Sequence, residues 1–150
     1  MKKPSSQLVN ALIAKSILDT ILVGAIAVAV YMNAFPPSFR GWGEAVVETQ
    51  TIAGWAVNAS EPWQRVDVEL FIDGQRVATQ LAQYSRPDVS AAGWAKDEWH
   101  GYSFTMPNLP PGIHEARIYA MHRSRSGARY TLQMLGDPIR FEVNPDGTWK

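Results

Sequence analysis

The 150-residue chain contains no cysteine. That one absence excludes disulfides, thiolate metal sites, covalently attached c-type haem and a cysteine nucleophile. A basic surplus is missing as well. From Arg40 onward eleven Lys and Arg face thirteen Asp and Glu, which is unlike the basic surface of a nucleic-acid binder. The chain has no Gly-x-Ser-x-Gly elbow, no P-loop, no Gly-x-Gly-x-x-Gly and no Asp-x-Asp-x-Asp-Gly loop, so no nucleophile, nucleotide or calcium motif can be cited. Internal repeats and low-complexity tracts are absent too. His114 and His122 are eight residues apart on one strand candidate, about 26 Å, too far to share a metal. His100 has Asp97 and Glu98 nearby but without a recognised ligand spacing. The expectation is a non-enzyme without metal or cofactor and with no small-molecule substrate.

What is present begins with an apolar run. No charge occurs between Asp19 and Arg40, and Ile21 to Met32 is unbroken. Twelve residues alone suit either a signal-peptide core or part of a span. Three features favour a retained anchor over a cleaved signal or a buried helix. The polar region before the run is long and holds Asp19. The small triplet Ala27-Val28-Ala29 lies inside the run. The helical pattern also extends backwards through Leu8, Val9, Leu12, Ile13, Ile17 and Leu18. A helix from Ser6 to Ala34 would be about 43 Å long, enough to cross the hydrocarbon. Lys2, Lys3 and Lys15 precede the run, so the positive-inside rule puts the N-terminus in the cytoplasm and the rest outside. Lys15 and Asp19 are expected to pair at the inner edge. Tyr31, Phe35, Phe39 and Trp42 are expected to form the outer aromatic belt. Pro36-Pro37 should end the helix near Phe35. Ala25 and Ala29 form a small-xxx-small pair suited to a neighbouring helix.

Residues 36–43 read as a short juxtamembrane linker with a flexible joint at Gly41-Trp42-Gly43, which would hold a head of residues 44–150 at the membrane surface. In the head, strand candidates run over Ala45–Thr49, Thr51–Asn58, Arg65–Asp73, Gln75–Ala82, Gly101–Met106, Ile113–Arg123, Tyr130–Leu135 and Ile139–Val143. In the third, Val66, Val68, Leu70 and Ile72 face one way and Asp67, Glu69, Phe71 and Asp73 the other. Asp73-Gly74 marks a hairpin. Tyr84 to His100 reads as a long irregular connection, with Arg86-Pro87-Asp88 pinning it. The pattern is all-β, an antiparallel β-sandwich behind a single N-terminal transmembrane helix.

The order Gly54-Trp55-Ala56, Asp73-Gly74, Arg86-Pro87-Asp88-Val89, Gly101-Tyr102-x-Phe104, Gly112-x-His114 and Pro138-x-x-Phe141 resembles immunoglobulin-like sandwich modules of bacterial proteins. The resemblance implies the fold and a bacterial origin. It implies no activity, because such modules are attached to many different proteins.

Two surface features are candidates for recognition. Arg123, Arg125 and Arg129 surround the Ser126-Gly127 tip, giving a basic hairpin end that could meet an acidic partner or lipid headgroups. Trp94 and Trp99 lie in the long connection, where they either close the core or anchor a contact; burial is the expected fate. The favoured function is a non-catalytic accessory subunit of a larger bacterial inner-membrane complex, respiratory or photosynthetic, with its sandwich bracing partner subunits in the periplasm. Its partners would be other integral-membrane subunits and lipid. The alternative is an anchored cell-envelope or glycan-binding module, which requires tryptophans on one exposed face. A secreted sandwich released by signal cleavage is a third reading.

Overall fold

The computed structural model describes residues 6–34, 38–123, 127 and 130–150. The chain divides into two units, residues 1–36 and 37–150. In the first, helix α1 (Ser6–Ala34) runs for 29 residues. Its interior has no proline, and Ala, Leu, Ile and Val fill the stretch where the chain is least polar. The Thr20 hydroxyl donates to the Ser16 carbonyl at 2.8 Å. Leu18, Ile21 and Val23 are each more than half exposed within this unit. The helix is long and apolar enough to cross a membrane.

The second unit is built from two antiparallel sheets. The first sheet contains β1 (Phe39–Val46), β2 (Thr51–Asn58), β6 (Trp99–Thr105) and β5 (Tyr84–Ser85), in that spatial order. The second contains β4 (Gln75–Leu81), β3 (Asp67–Ile72), β7 (Gly112–Arg123) and β8 (Tyr130–Met134). A ninth strand, β9 (Ile139–Val143), pairs with the first half of β7. A short helix, α2 (Pro87–Ala91), lies in the connection between β5 and β6.

The period-2 reading of β3 holds for its inward face, whereas Glu69 on the opposite face is itself buried, held by Arg76 at 3.4 Å. Val66, Val68, Leu70 and Ile72 are all buried, and they share one core with Ile52, Ala56, Tyr102 and Phe104 from the other sheet. Each full burial of that size is worth about 1.5–3 kcal/mol. Asp73 and Gly74 take φ of 50° and 80°, the left-handed pair that a two-residue hairpin demands.

Several boundaries move. The strand expected at Ala45–Thr49 begins earlier, and residues 47–50 form the turn into β2. The connection from Tyr84 to His100 contains β5 and α2 rather than being irregular throughout. The joint expected at Gly41-Trp42-Gly43 is the middle of β1, paired in register with Gly54-Trp55-Ala56. Its glycines serve close approach. A Cβ on Gly43 would strike the Tyr102 hydroxyl, and one on Gly54 would strike both that hydroxyl and the Trp42 carbonyl. The notch between them lets the buried Tyr102 phenol donate to the Trp42 carbonyl at 3.1 Å. Phe39, expected in a membrane belt, is instead a core residue 7 % exposed.

Glutamine side chains join the two sheets at both open seams. Gln133 on β8 accepts from the Phe39 N–H at 3.0 Å and donates to the Phe39 carbonyl at 2.8 Å. Gln80 on β4 accepts from the Ser103 N–H of β6 at 3.1 Å and donates to the Tyr84 hydroxyl at 2.9 Å. Gln133 thus satisfies backbone of the edge strand β1, and Gln80 satisfies a β6 N–H beyond the short reach of β5.

Candidate interaction surfaces

The outer face of the first sheet carries most of the tryptophan. Trp42 and Trp55 are directly opposite on β1 and β2. α2 and the segment after it fold back over this face: Val89 and Ala95 pack on Val57, which is fully buried, and Trp94 stacks on Trp55 with centroids 6.5 Å apart and planes at 25°. The segment is held by the Trp94 N–H donating to the Val89 carbonyl, 3.1 Å. Arg86 supports its start with a two-pronged pair to Asp88, 2.9 and 2.8 Å. That pair raises the Arg86 pKa and lowers that of Asp88. Burial was expected for Trp94 and Trp99, yet they are 43 % and 47 % exposed. Trp94 does both jobs, covering Trp55 beneath it and offering surface above. The Arg40 guanidinium lies 4.7 Å from its ring centre, a cation–π contact.

Beside that contact is an open groove of about 240 Å³ lined by Arg40, Ala59, Pro62, Gly93, Trp94, Ala95 and Lys96. Its geometry is fixed by backbone bonds from the Ala59 N–H to the Ser38 carbonyl, 2.9 Å, and from the Lys96 N–H to the Pro62 carbonyl, 3.1 Å. No ion pair to Arg40 or Lys96 occurs among the described residues.

The second sheet has a different outer face. Along β8, Tyr130, Leu132 and Met134 point outward and are 56 %, 44 % and 42 % exposed. Across the ladder Leu132 is opposite Met121, and Met134 is opposite Tyr119, so the apolar side chains are contiguous. Tyr119 in turn meets Phe71 edge-on at 5.2 Å. These residues escaped the sequence reading, which took Tyr130–Leu135 as an ordinary return strand. The missed signal is Gln133: it is the inward residue, required at the seam, so the apolar parity of β8 is reversed.

Of the basic hairpin tip, Arg123 is exposed with its guanidinium 5.3 Å from the Tyr130 ring centre. Arg125 and Arg129 lie outside the described residues, as does Phe35. On α1, Ala25, Ala29 and Tyr31 are all exposed within their unit. No ion pair joins Lys15 to Asp19, contrary to expectation; both side chains are exposed, where such a pair is worth little.

The histidines are structural in placement. His114 Nδ1 donates to Asp73 at 2.7 Å and Nε2 to the Pro110 carbonyl at 2.8 Å. Two acceptors require both nitrogens protonated, and the bond to Asp73 first, then that to Pro110, raises the pKa. His100 is fully buried, with Nε2 3.3 Å from Arg65 Nη1. Burial first and the Arg65 charge second lower its pKa, so the ring is neutral and Nε2 accepts. Its Nδ1 has no hydrogen-bond partner among the described residues. Among the described residues no three His, Asp or Glu side chains converge on a point where a metal could sit.

Searches against protein-family models, curated proteins and solved structures find no match to this chain. The site geometry therefore carries the functional argument alone.

Proposed function

We propose that this chain is a non-catalytic accessory subunit of a larger bacterial inner-membrane assembly, of the respiratory or photosynthetic kind. On this reading α1 crosses the membrane with its N-terminus in the cytoplasm, and the β-rich unit braces partner subunits on the periplasmic side. The observation that carries it is the bare apolar strip of Tyr130, Leu132 and Met134 on edge strand β8. Exposed contiguous apolar side chains on a domain with a complete core of its own are the mark of a protein contact. Arg123 beside Tyr130 adds the aromatic and guanidinium pairing that interfaces favour. The two strand orders support an immunoglobulin-like reading, because β1-β2-β6-β5 corresponds to A-B-E-D and β4-β3-β7-β8 to C′-C-F-G.

A photo-crosslinker placed at Leu132 in the full chain, in its native membrane, tests this. A discrete crosslink to another membrane subunit is expected, and a solely monomeric species after gentle detergent extraction and native separation would refute it. Changing Ala25 and Ala29 together to Leu should leave the protein in the membrane and weaken copurification.

A second reading rests on one specific observation, the exposure of Trp94 and Trp99. An envelope glycan-binding module needs such a platform. It ranks lower because Trp55 and Arg40 already lie against the Trp94 ring, which leaves less of the indole for a sugar. Glycan pulldown with wild type and a Trp94→Ala, Trp99→Ala double variant separates the two readings.

A further inference from the structure

We propose that the groove between Arg40, Trp94 and Lys96 holds the phosphate of an anionic phospholipid headgroup. The inference rests on the reading of α1 as a membrane span. Three independent features converge on it. The first is charge: Arg40 and Lys96 are both exposed groove residues with no carboxylate partner among the described residues. Juxtaposed basic groups of this kind attract anionic lipid surfaces.

The second is aromatic chemistry. Trp94 forms one wall and is 43 % exposed, and Trp63, next to the groove residue Pro62, is 62 % exposed. Indoles half in and half out of an apolar phase are the side chains that settle at headgroup depth. The Trp63 loop is tied to its neighbours: Arg65 donates to the Trp63 carbonyl at 3.2 Å and is itself held by Asp97 at 3.0 Å.

The third is chain length. Only Phe35, Pro36, Pro37 and Ser38 separate the last helical residue, Ala34, from the first strand residue. At no more than about 3.5 Å per residue, the chain from Ala34 to Arg40 has a contour of only roughly 20 Å. The groove residue Ala59 is itself bonded to Ser38. A headgroup is therefore the anionic ligand with the highest local concentration at this place. A free soluble phosphate has the same chemistry but no such tether, and the experiment separates the two.

The full chain is reconstituted into nanodiscs of phosphatidylcholine alone or with phosphatidylglycerol, and acetylation of Lys96 is followed by mass spectrometry, with Lys150 as internal reference. Phosphatidylglycerol should slow Lys96 acetylation relative to Lys150 by about fivefold, the effect of one basic group near an anionic surface. Arg40→Gln, at an exposed position, should remove most of that protection while the domain stays folded, with a melting temperature lowered by no more than the loss of one exposed cation–π contact would give. Equal rates in both discs would overturn the proposal while leaving the span reading intact. Protection by soluble glycerol phosphate in phosphatidylcholine discs, without any from phosphatidylglycerol, would replace the headgroup by a free ligand and also overturn it. Failure of the chain to enter either disc would remove the span reading beneath it.

Discussion

The two sheets share one core but treat their outer faces differently. Over the first sheet the chain supplies its own cover: Val89, Trp94 and Ala95 return from the α2 segment onto Val57 and Trp55. Over the second no described segment returns, and Tyr130, Leu132 and Met134 stand in the open. Among the described residues the chain covers one sheet face and leaves the other bare. The bare strip on β8 is a property of that face rather than a shortage of chain.

The largest test of this contrast strikes what the faces share. Val68→Asp or Leu70→Asp places a charge in the common core, and a loss of about 4–5 kcal/mol is expected. Thermal unfolding followed by near-UV circular dichroism would show both faces lost together; a native melting curve would mean the core is misassigned. Gly54→Ala comes next. Its Cβ meets the Trp42 carbonyl and the Tyr102 hydroxyl, so the Tyr102 notch closes at a cost of about 1–3 kcal/mol. The same substitution at the open position Gly74 meets no atom but has a φ of 80°, so any loss there reports backbone strain alone.

The third test sets the faces directly against each other. Trp94→Ala uncovers Trp55 and should destabilise by roughly 1–2 kcal/mol, about half of a fully buried indole. Leu132→Ser should change monomer stability by less than about 0.5 kcal/mol yet abolish association with the partner subunit proposed above. Equal destabilisation by both would erase the distinction between a covering and a docking face.

The smallest effect comes from two histidines held in opposite charge states. His114 has a raised pKa, so its stabilisation is complete below the unfolded value of 6.5 and is lost as pH rises through the folded value. Its partner Asp73 is lowered, by the Glu115 N–H first and by His114 second, so its share is lost only in acid below 3.8. His100 is lowered, so its share is complete above 6.5 and is lost as pH falls through its folded value. Nuclear magnetic resonance titration should place His114 above and His100 below 6.5. The Asp73 side chain is half exposed, so Asp73→Asn should cost less than about 1 kcal/mol after solvent screening.

Legibility in the sequence followed the range of the interactions. β2, the faces of β3 and the Asp73-Gly74 turn were readable because each depends on neighbours within a few residues. β1 was not. Gly41 and Gly43 look like flexible punctuation until Leu135 and Tyr102 are known to press on them, and nothing local announces partners that far along the chain. β8 misled for the same reason: Gln133 faces inward because Phe39, 94 residues away, needs its amide. The candidate surfaces suffered most. Trp94 and Trp99 were found by composition, but the strip on β8 is visible only once the inward residue is known to be polar.

On the proposed reading of α1 as a membrane span, the glutamine seams have a consequence for a crowded membrane. Proteins tethered by a helix meet in two dimensions, where copies collide often and in similar orientations. An open β1 edge would then be a standing invitation for a neighbour's strand. The Gln133 amide meets that edge at Phe39 with one acceptor and one donor, so at this rung an incoming strand would find the backbone already paired and would have to displace the glutamine first.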